Sequence, residues 1–459
     1  MTIQLPNSLH SRDVASLIHP HTNPRAHLAQ GPRIIVGSEG SRLFDDNGNG
    51  YIDCVSAMWC CPLGFKSERL AKVAYEQMRT LGFYHIYKHH SHERAIDLAE
   101  KLLSISPSFM SRVIFQNSGS EANEVALKLC WYYHNAIGRP ERKKIIGRKG
   151  GFHGQTTALA SLSGREECHR GFSLPVSERF IHTEFPHYYR RHEAGETEEQ
   201  FSDRMAEALE SLILAEGPET IAAMFAEPIM GSGGGLLPPA TYFEKIQKVL
   251  HKYEILFVAD EVITGVGRTG NWWATDTFDL KPDMITSAKG LGASMMPIGA
   301  AIINERILQA MLKMSDELGT YTQGSTFSGH PVATAVARET LRIIEEEQLI
   351  ENGRRLGDFF FQSLSGTNDH PMIADLRHVG AVVSMELMAD RENRKPFAPD
   401  VNILATLGRH CDAEGVLVRL TSNRAVFAPP LNMTMEEAEQ AASSFQRALN
   451  ATWQELHTA

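Results

Sequence analysis

The sequence predicts an α/β protein with a large, mostly parallel sheet domain and a smaller α+β domain from the N- and C-terminal parts. Short apolar runs closed by turn residues, such as LFVAD at 256–260 and MITSA at 284–288, are typical of central parallel strands. Apolar residues at helical spacing lie between such runs. From about residue 340, charged helical sequence and further strands indicate the α+β domain.

The composition indicates a globular, enzyme-sized protein. The 459 residues are 42% hydrophobic and 22% charged, and the formal net charge of -10 argues against a nucleic-acid-binding surface. No apolar run approaches the roughly 18 residues of a membrane helix, and the N-terminus lacks the pattern of a signal peptide. Six cysteines without disulfide-type spacing are expected to be reduced. We therefore expect a cytoplasmic protein without nucleic-acid or membrane partners.

The first 65 residues predict an N-terminal arm followed by part of the small domain. The turn sequence DDNGNG at 45–50, between segments of alternating polarity, indicates a β-hairpin. Trp59 lies in the loop that follows, where packing explains a tryptophan more readily than ligand contact does.

A helical pattern begins at Ser67 and leads into an aromatic and histidine cluster, GFYHIYKHHSHE. His85, His89, His90 and His92 are candidate metal ligands. However, no HExxH arrangement and no carboxylate–histidine grouping of the zinc type is present. We predict no metal and assign these histidines structural or pocket-lining roles.

A candidate anion site follows the predicted strand at 112–116. The next helix opens at Ser118, Gly119 and Ser120. Free backbone N–H groups and the helix dipole at that end suit a phosphate. The alternative is an ordinary serine cap with Glu121 in the first helical turn.

Two further strands end in candidate ligand groups. A glycine-rich turn after the strand KKIIG carries Phe152, which could stack on a planar cofactor or belong to the core, and His153. The strand IAAMFA ends in Glu227. The glycine runs at 231–235 and 265–270 do not open a helix directly after a strand, so a dinucleotide site is disfavoured.

Asp260 and Lys289 end two predicted central strands, and ligands bind at the carboxyl ends of such strands. A lysine there can become nucleophilic through desolvation, and a carboxylate can hold a cationic ring nitrogen. Pyridoxal 5′-phosphate (PLP) requires this pair of groups. The alternative is a surface lysine and an aspartate that caps the next helix.

The remaining chain completes the predicted domains. The apolar strand MPIGAAIIN precedes a glycine- and hydroxyl-rich loop, and a helix begins near Val332. One long charged helix is predicted to run through 338–364, before further strands and a final amphipathic helix. We expect an arm and part of the small domain at 1–65, a large PLP-binding domain at 66–331 and the C-terminal small domain at 332–459.

Five segments together resemble the class III, or ω-type, PLP-dependent aminotransferases of fold type I. Single segments are weak signals, but their common order and spacing over most of the chain is specific. The segments are NSGSEANEVALKL, GFHG, AEPI, VADEVITGVGRTG with PDMITSAKGLG, and TFSGHP.

The resemblance implies that Lys289 forms a Schiff base with PLP and that Asp260 partners the pyridinium nitrogen. It implies that further residues hold the phosphate, pack on the two ring faces or lie beside the ring hydroxyl. These cofactor-binding residues are Ser118, Gly119, Ser120, Phe152, His153, Glu227 and Val262. Thr326 would reach the phosphate of a neighbouring subunit, because the family shares active sites across a homodimer. A tetramer is an open alternative.

Substrate choice is expected to follow the amine:pyruvate and ω-amino acid:pyruvate branch. Family members that use 2-oxoglutarate carry two arginines and a glutamate where this chain has Gln155, Val426 and Ser232. Two carboxylates need two cationic groups. The amine:pyruvate pattern is similar to this sequence at its substrate-binding positions, which are Trp59, Tyr87, Phe152 and Arg419.

These observations predict a transaminase that moves an amino group from a primary amine or ω-amino acid to pyruvate, producing alanine. A PLP-dependent lyase, decarboxylase or aminomutase is the alternative within the same fold. Arg419 distinguishes the two, because a keto-acid acceptor needs a carboxylate-binding group. The hypothesis of a nucleotide-binding or non-catalytic protein is supported only by the glycine runs.

Overall fold

The structure is a computed structural model that describes residues 7–367 and 369–458. The first six residues, on which the prediction about a signal peptide partly depends, lie outside that range. The strands are β1 Ile35–Glu39, β2 Arg42–Asp45, β3 Gly50–Asp53, β4 Met110–Gln116, β5 Lys144–Arg148, β6 Phe180–Thr183, β7 Ile221–Ala226, β8 Leu256–Asp260, β9 Met284–Ser287, β10 Gly299–Asn304, β11 Ile373–Val379, β12 Val382–Leu387, β13 Val416–Leu417, β14 Arg419–Thr421 and β15 Arg424–Phe427.

The helices include several single turns, of which α3 is kinked. They are α1 Leu9–Ser16, α2 Pro24–Gln30, α3 Ser56–Trp59, α4 Glu68–Leu81, α5 Glu93–Ser104, α6 Gly119–Ala136, α7 Thr157–Leu162, α8 Glu166–His169, α9 Tyr188–Arg191, α10 Glu198–Glu216, α11 Tyr242–Lys252, α12 Ala274–Thr277, α13 Glu305–Leu318, α14 Pro331–Glu346, α15 Leu349–Ser365, α16 Ile403–Ala413 and α17 Met435–Thr458. Within the described ranges, no helix is both long and apolar enough to cross a membrane.

A seven-stranded sheet forms the centre of the large domain, in the order β4-β10-β9-β8-β7-β5-β6. All its strands run in one direction except β10, which pairs antiparallel with β4 and β9. Leu256 and Val258 of β8 pack with the buried face of α6, whereas Phe257 and Ala259 pack on the opposite face. The strand is apolar throughout because both faces are covered. The predicted mostly parallel α/β sheet is confirmed.

Two four-stranded sheets accompany the central sheet. One has the order β1-β2-β3-β13 and joins the N-terminal hairpin to a C-terminal strand, because β3 pairs in parallel with β13. The other has the order β11-β12-β15-β14 and is antiparallel. A separate core forms from Ile52 and Cys54 together with residues of α15, α16 and α17. The chain ends therefore build one lobe together.

The prediction of one helix over 338–364 is wrong. Helix α14 ends at Glu346, and α15 starts at Leu349 after Gln348, whose φ of 52° lies in the left-handed region. Val332 and Leu341 of α14 pack into the core of the large sheet. The residues just after 331 therefore lie against the large domain, while the proposed three-part division stays a prediction.

Candidate active site

The candidate active site is a cavity of about 360 Å³ at the carboxyl ends of the central strands. Six strands end at this edge, and the segments at the ends of five of them supply lining groups. Nine of the residues predicted from the sequence line the cavity, namely Ser118, Gly119, Ser120, Phe152, His153, Glu227, Asp260, Val262 and Lys289. The topology therefore brings the predicted cofactor-binding groups together.

Asp260 is buried and held by three hydrogen-bond donors. The His153 imidazole donates from Nδ1 to Oδ2 over 2.8 Å, because an ionised carboxylate only accepts. Asn123 Nδ2 donates to the same oxygen over 2.8 Å. The backbone N–H of Val262 donates to Oδ1 over 3.2 Å. The carboxylate consequently has one fixed orientation in the cavity.

Asn123 is a site residue that sequence reasoning missed. Its Nδ2 also donates to the carbonyl of His153, and its Oδ1 accepts from Thr286 Oγ1 over 2.6 Å. Asn123 is a fully buried amide on the mostly apolar buried side of α6, which also carries His134. A polar residue on the buried face of a helix is the signal that could have identified it.

Lys289 follows β9 directly and has a left-handed φ of 41°. Burial lowers the pKa of its amine, and the positive charge of Arg419 acts in the same direction, while the charges of Asp260 and Glu227 raise it. Within the described residues the amine makes no hydrogen bond or ion pair. The amine is therefore partly desolvated, and its neutral form, which has a free electron pair, is more favoured than in an exposed lysine.

The start of α6 provides the candidate phosphate site. Ser118 caps the helix, since its Oγ accepts from the N–H of Glu121 over 3.1 Å. A side chain on Gly119 would place its Cβ 2.8 Å from a methyl of Val262, so only glycine fits there. Ser120 Oγ accepts from the N–H of Gln155 over 3.2 Å. The serine cap leaves the helix terminus accessible from the cavity. This turn can therefore be both a helix cap and a phosphate site.

Glu227 and His153 each carry a buried atom without a hydrogen-bond partner among the described residues. These atoms are Glu227 Oε2 and His153 Nε2. Glu227 Oε1 accepts from the N–H of Phe152 over 3.3 Å. Burial raises the pKa of Glu227 to about 7. Unpaired buried polar atoms facing a cavity fit a polar planar ligand such as PLP.

Trp59 does not line the cavity, although it lies close to it. Its side chain is buried in a small apolar cluster with Ile229 and Val426. The carbonyl of the next residue, Cys60, accepts from the hydroxyl of Ser294, which does line the cavity. Trp59 is therefore buried, and it ends the kinked turn α3 instead of lying in an exposed loop.

Tyr87 and Thr326 do not line the cavity of their own chain, and they lie on one exposed surface. The loops that carry Tyr87 and Thr326 are in contact, because a Cβ added to Gly324 would lie 2.6 Å from the Tyr87 hydroxyl. The rings of Phe83 and Phe327 meet edge to face at 5.7 Å. Together these loops present an exposed aromatic edge that carries Thr326.

Arg419 lies on β14 and is exposed. Among the described residues its guanidinium makes no hydrogen bond and no ion pair. In contrast, the neighbouring Arg165 donates to the carbonyl of Ser232 and to the carboxylate of Glu167. Arg419 is thus a free cation near Lys289.

Three of the four histidines in the segment 85–92, His85, His90 and His92, make local contacts. His92 Nε2 lies 2.7 Å from the carbonyl of Gly329, and its Nδ1 accepts from the N–H of Ala95. His85 and His90 pack edge to face at 5.2 Å. These histidines do not form a metal-type group within the described part of the chain.

Sequence comparison identifies relatives along nearly the whole chain. The family Aminotransferase class-III matches residues 25–449. A chloroplastic gamma aminobutyrate transaminase 3 of Solanum lycopersicum is 43% identical over 92% of this chain and 81% of its own length. A vanillin aminotransferase of Capsicum chinense is 42% identical over 92% of both chains.

Solved structures share the fold. The omega transaminase of Pseudomonas jessenii, in complex with PMP, superposes with a TM-score of 0.95 and 45% identity, covering 97% of this chain and 98% of that one. A transaminase with L-alanine has a TM-score of 0.90 and 45% identity, covering 92% of this chain and 100% of that one. The site geometry and these relatives lead to one conclusion. The chain belongs to the class III aminotransferases and is a PLP-dependent enzyme of fold type I.

Proposed function

We propose that this aminotransferase moves an amino group from a primary amine or ω-amino acid to pyruvate, giving alanine and an aldehyde or ketone. The observation that carries the proposal is the guanidinium of Arg419, which makes no hydrogen bond or ion pair among the described residues and whose charge lowers the pKa of Lys289. One cation matches one carboxylate, as in pyruvate or alanine.

The cavity would hold PLP through the groups assigned above. The α6 terminus at Gly119 and Ser120 would bind the phosphate, Phe152 and Val262 would pack on the two ring faces, and Glu227 would lie on the ring-hydroxyl side. When bound, PLP supplies an electron sink for the carbon that loses its proton. Asp260, fixed by His153 and Asn123, would keep the ring nitrogen protonated.

Lys289 would carry both the covalent attachment and the proton transfer. Its lowered pKa favours the neutral amine, which is the nucleophilic form. The neutral amine of Lys289 would also act as general base and acid, taking a proton from the substrate carbon and returning it. Its position at a strand end keeps it within the cavity during both steps.

The specificity for a monocarboxylic acceptor rests on three positions. Val426 is fully buried and uncharged, the arginine on the same strand, Arg424, is paired with Glu386, and the side chain of Gln155 is neutral. Arg165, the arginine whose charge acts on Arg419, is already paired with Glu167. A second carboxylate, as in 2-oxoglutarate, would therefore lack a free cationic partner.

We further infer that the enzyme acts as a homodimer with shared active sites. Tyr87 and Thr326 do not reach the cavity of their own chain, and they share an exposed surface with Phe83 and Phe327. Covering that aromatic surface with a second copy would bury apolar area and could deliver Thr326 to the partner's cavity. A tetramer would place further copies on other surfaces. The cytoplasmic location stays a prediction.

The test follows the absorbance of the bound cofactor through each half of the reaction. Addition of 1-phenylethylamine to the purified holoenzyme should remove the visible band, and pyruvate should restore it together with one equivalent of alanine. 2-Oxoglutarate should restore it far more slowly. If amine leaves the band unchanged while carbon dioxide or ammonia is released from an amino acid, the chain is a lyase or decarboxylase instead.

A further inference from the structure

A histidine–aspartate cluster joins the two N-terminal helices, well outside the catalytic cavity. Asp13 lies on α1, His27 lies on α2 and His19 lies in the segment between them. We propose that these three side chains form a binding site for a divalent transition-metal ion, with Zn²⁺ as the expected occupant. The proposal is independent of the substrate specificity proposed above.

The three ligand atoms already converge. The Nε2 atoms of His19 and His27 lie 2.9 and 3.0 Å from the same oxygen, Oδ1 of Asp13. All the candidate ligand atoms lie within 4.8 Å of one another. In tetrahedral zinc sites with bonds of about 2.0–2.1 Å, ligand atoms stand about 3.3 Å apart. The distance of each imidazole nitrogen from Oδ1 would need to grow by only a few tenths of an ångström.

The ligand types match a borderline-soft ion. Two imidazole nitrogens and one carboxylate oxygen suit Zn²⁺, and Co²⁺ or Ni²⁺ as substitutes, with water in the remaining position. Each imidazole now lies with its Nε2 against the carboxylate. On metal binding the ring proton would move to Nδ1, so that the Nε2 electron pair faces the ion.

The burial of the cluster fits a site that is formed yet accessible. The side chains of Asp13 and His27 are only 12% and 9% exposed, which restricts their conformations. His19 is 33% exposed and leaves a path for an ion. The two imidazole rings are already packed, with centroids 4.1 Å apart. A metal ion would tie α1 to α2 and close the segment 17–23 into a loop.

The spacing of Asp13, His19 and His27 in the sequence does not indicate a metal site. Asp13 and His19 are six positions apart, and His19 and His27 are eight positions apart, which matches no common zinc pattern. The absence of a motif led to the prediction of no metal. Only the turn between the two helices brings the three residues together.

The test uses untagged, PLP-loaded full-length protein that has been treated with a chelator. Zinc affinity is measured by competition with a chromophoric zinc indicator, and Co²⁺ binding by the intense visible bands of tetrahedral cobalt. Wild type should bind one ion per chain at this site. D13N and H27Q should each weaken zinc binding by at least about 10-fold and abolish the cobalt bands.

The matched control is H10Q, on the same helix α1. His10 lies 3.5 Å from Asp46 and does not belong to the cluster, so H10Q should bind zinc like wild type. Zinc should also protect the segment 17–23 of wild type, but not of D13N, from proteolysis. Equal zinc affinity and equal proteolysis of wild type and D13N would overturn the proposal and leave a hydrogen-bonded cluster only.

Discussion

The imidazole of His153 and the carboxylate of Asp260 are joined by a buried hydrogen bond of 2.8 Å. Because Asp260 is expected to contact the ring nitrogen and His153 orients Asp260, we expect the two residues to differ in mutational effect. D260N should lower kcat by about 100- to 1,000-fold, since an amide cannot stabilise a protonated ring nitrogen. H153Q should lower it by about 10-fold. Steady-state kinetics with matched circular dichroism spectra measure both, and equal losses would contradict these roles.

Removal of the candidate attachment lysine should separate cofactor binding from catalysis. K289A is expected to lack measurable transamination and to lose the visible band of the lysine-bound cofactor, because the only covalent link is absent. K281A changes an exposed lysine in the same region and should match wild type. If K289A and wild type share one absorbance spectrum, Lys289 is not the attachment site.

Replacement of the free guanidinium should affect carboxylate substrates selectively. In R419A we expect the KM for pyruvate to rise by about 10- to 100-fold, as a charge-assisted hydrogen bond is lost. The KM for 1-phenylethylamine should stay close to wild type. R409A, which removes an exposed arginine paired with Glu455, should change neither value. A uniform rise in both KM values for R419A would count against a carboxylate-binding role.

The stability of the cofactor-free protein should fall with rising pH because of Glu227. Its pKa is about 7 in the folded chain and 4.5 in the reference state. Protonated Glu227 therefore contributes stability that is complete below about pH 4.5 and is lost as pH rises through about 7. Relative to E227Q, wild type should lose about 3 kcal/mol of unfolding free energy over this range. Urea unfolding at several pH values measures it.

The control for this pH series is E207Q, because Glu207 is an exposed glutamate on α10 that makes no ion pair among the described residues. E207Q should follow wild type at every pH value. An unchanged pH dependence in E227Q would show that Glu227 is ionised in the folded chain throughout the range.

Shared active sites should reveal themselves by complementation between two inactive variants. K289A lacks the lysine, and T326D places a negative charge where a phosphate of the partner is expected. After subunit exchange, half of the dimers are mixed and each holds one intact site, so about a quarter of wild-type activity should return. If Thr326 serves its own chain, no activity should appear. Size-exclusion chromatography checks that T326D still forms dimers.

The sequence was most informative where a residue ends a buried strand. Asp260, Lys289 and Glu227 each follow an apolar run, and parallel strands end at a common edge, so their convergence could be predicted. The break at Gln348 could not, because the apolar spacing of α14 and α15 is nearly continuous across it. One left-handed residue redirects the chain there without any glycine or proline to signal it.

Contacts between segments that are distant in sequence could not be predicted either. Asn123 serves the site through hydrogen bonds to Asp260 and to the carbonyl of His153, neither of which is close in sequence. Trp59 occupies an apolar cluster with Ile229 and Val426, which no local pattern indicates. Side-chain environments of this kind are set by tertiary packing and not by periodicity.

The parallel pairing of β3 with β13 has a consequence for synthesis on the ribosome. Roughly 360 residues separate the strand Gly50–Asp53 from its partner Val416–Leu417, so the partner leaves the ribosome much later. The hairpin must therefore wait for this long segment before its sheet is complete. During that interval its open edge is exposed to other nascent chains, and truncation near the C-terminus would leave it open permanently.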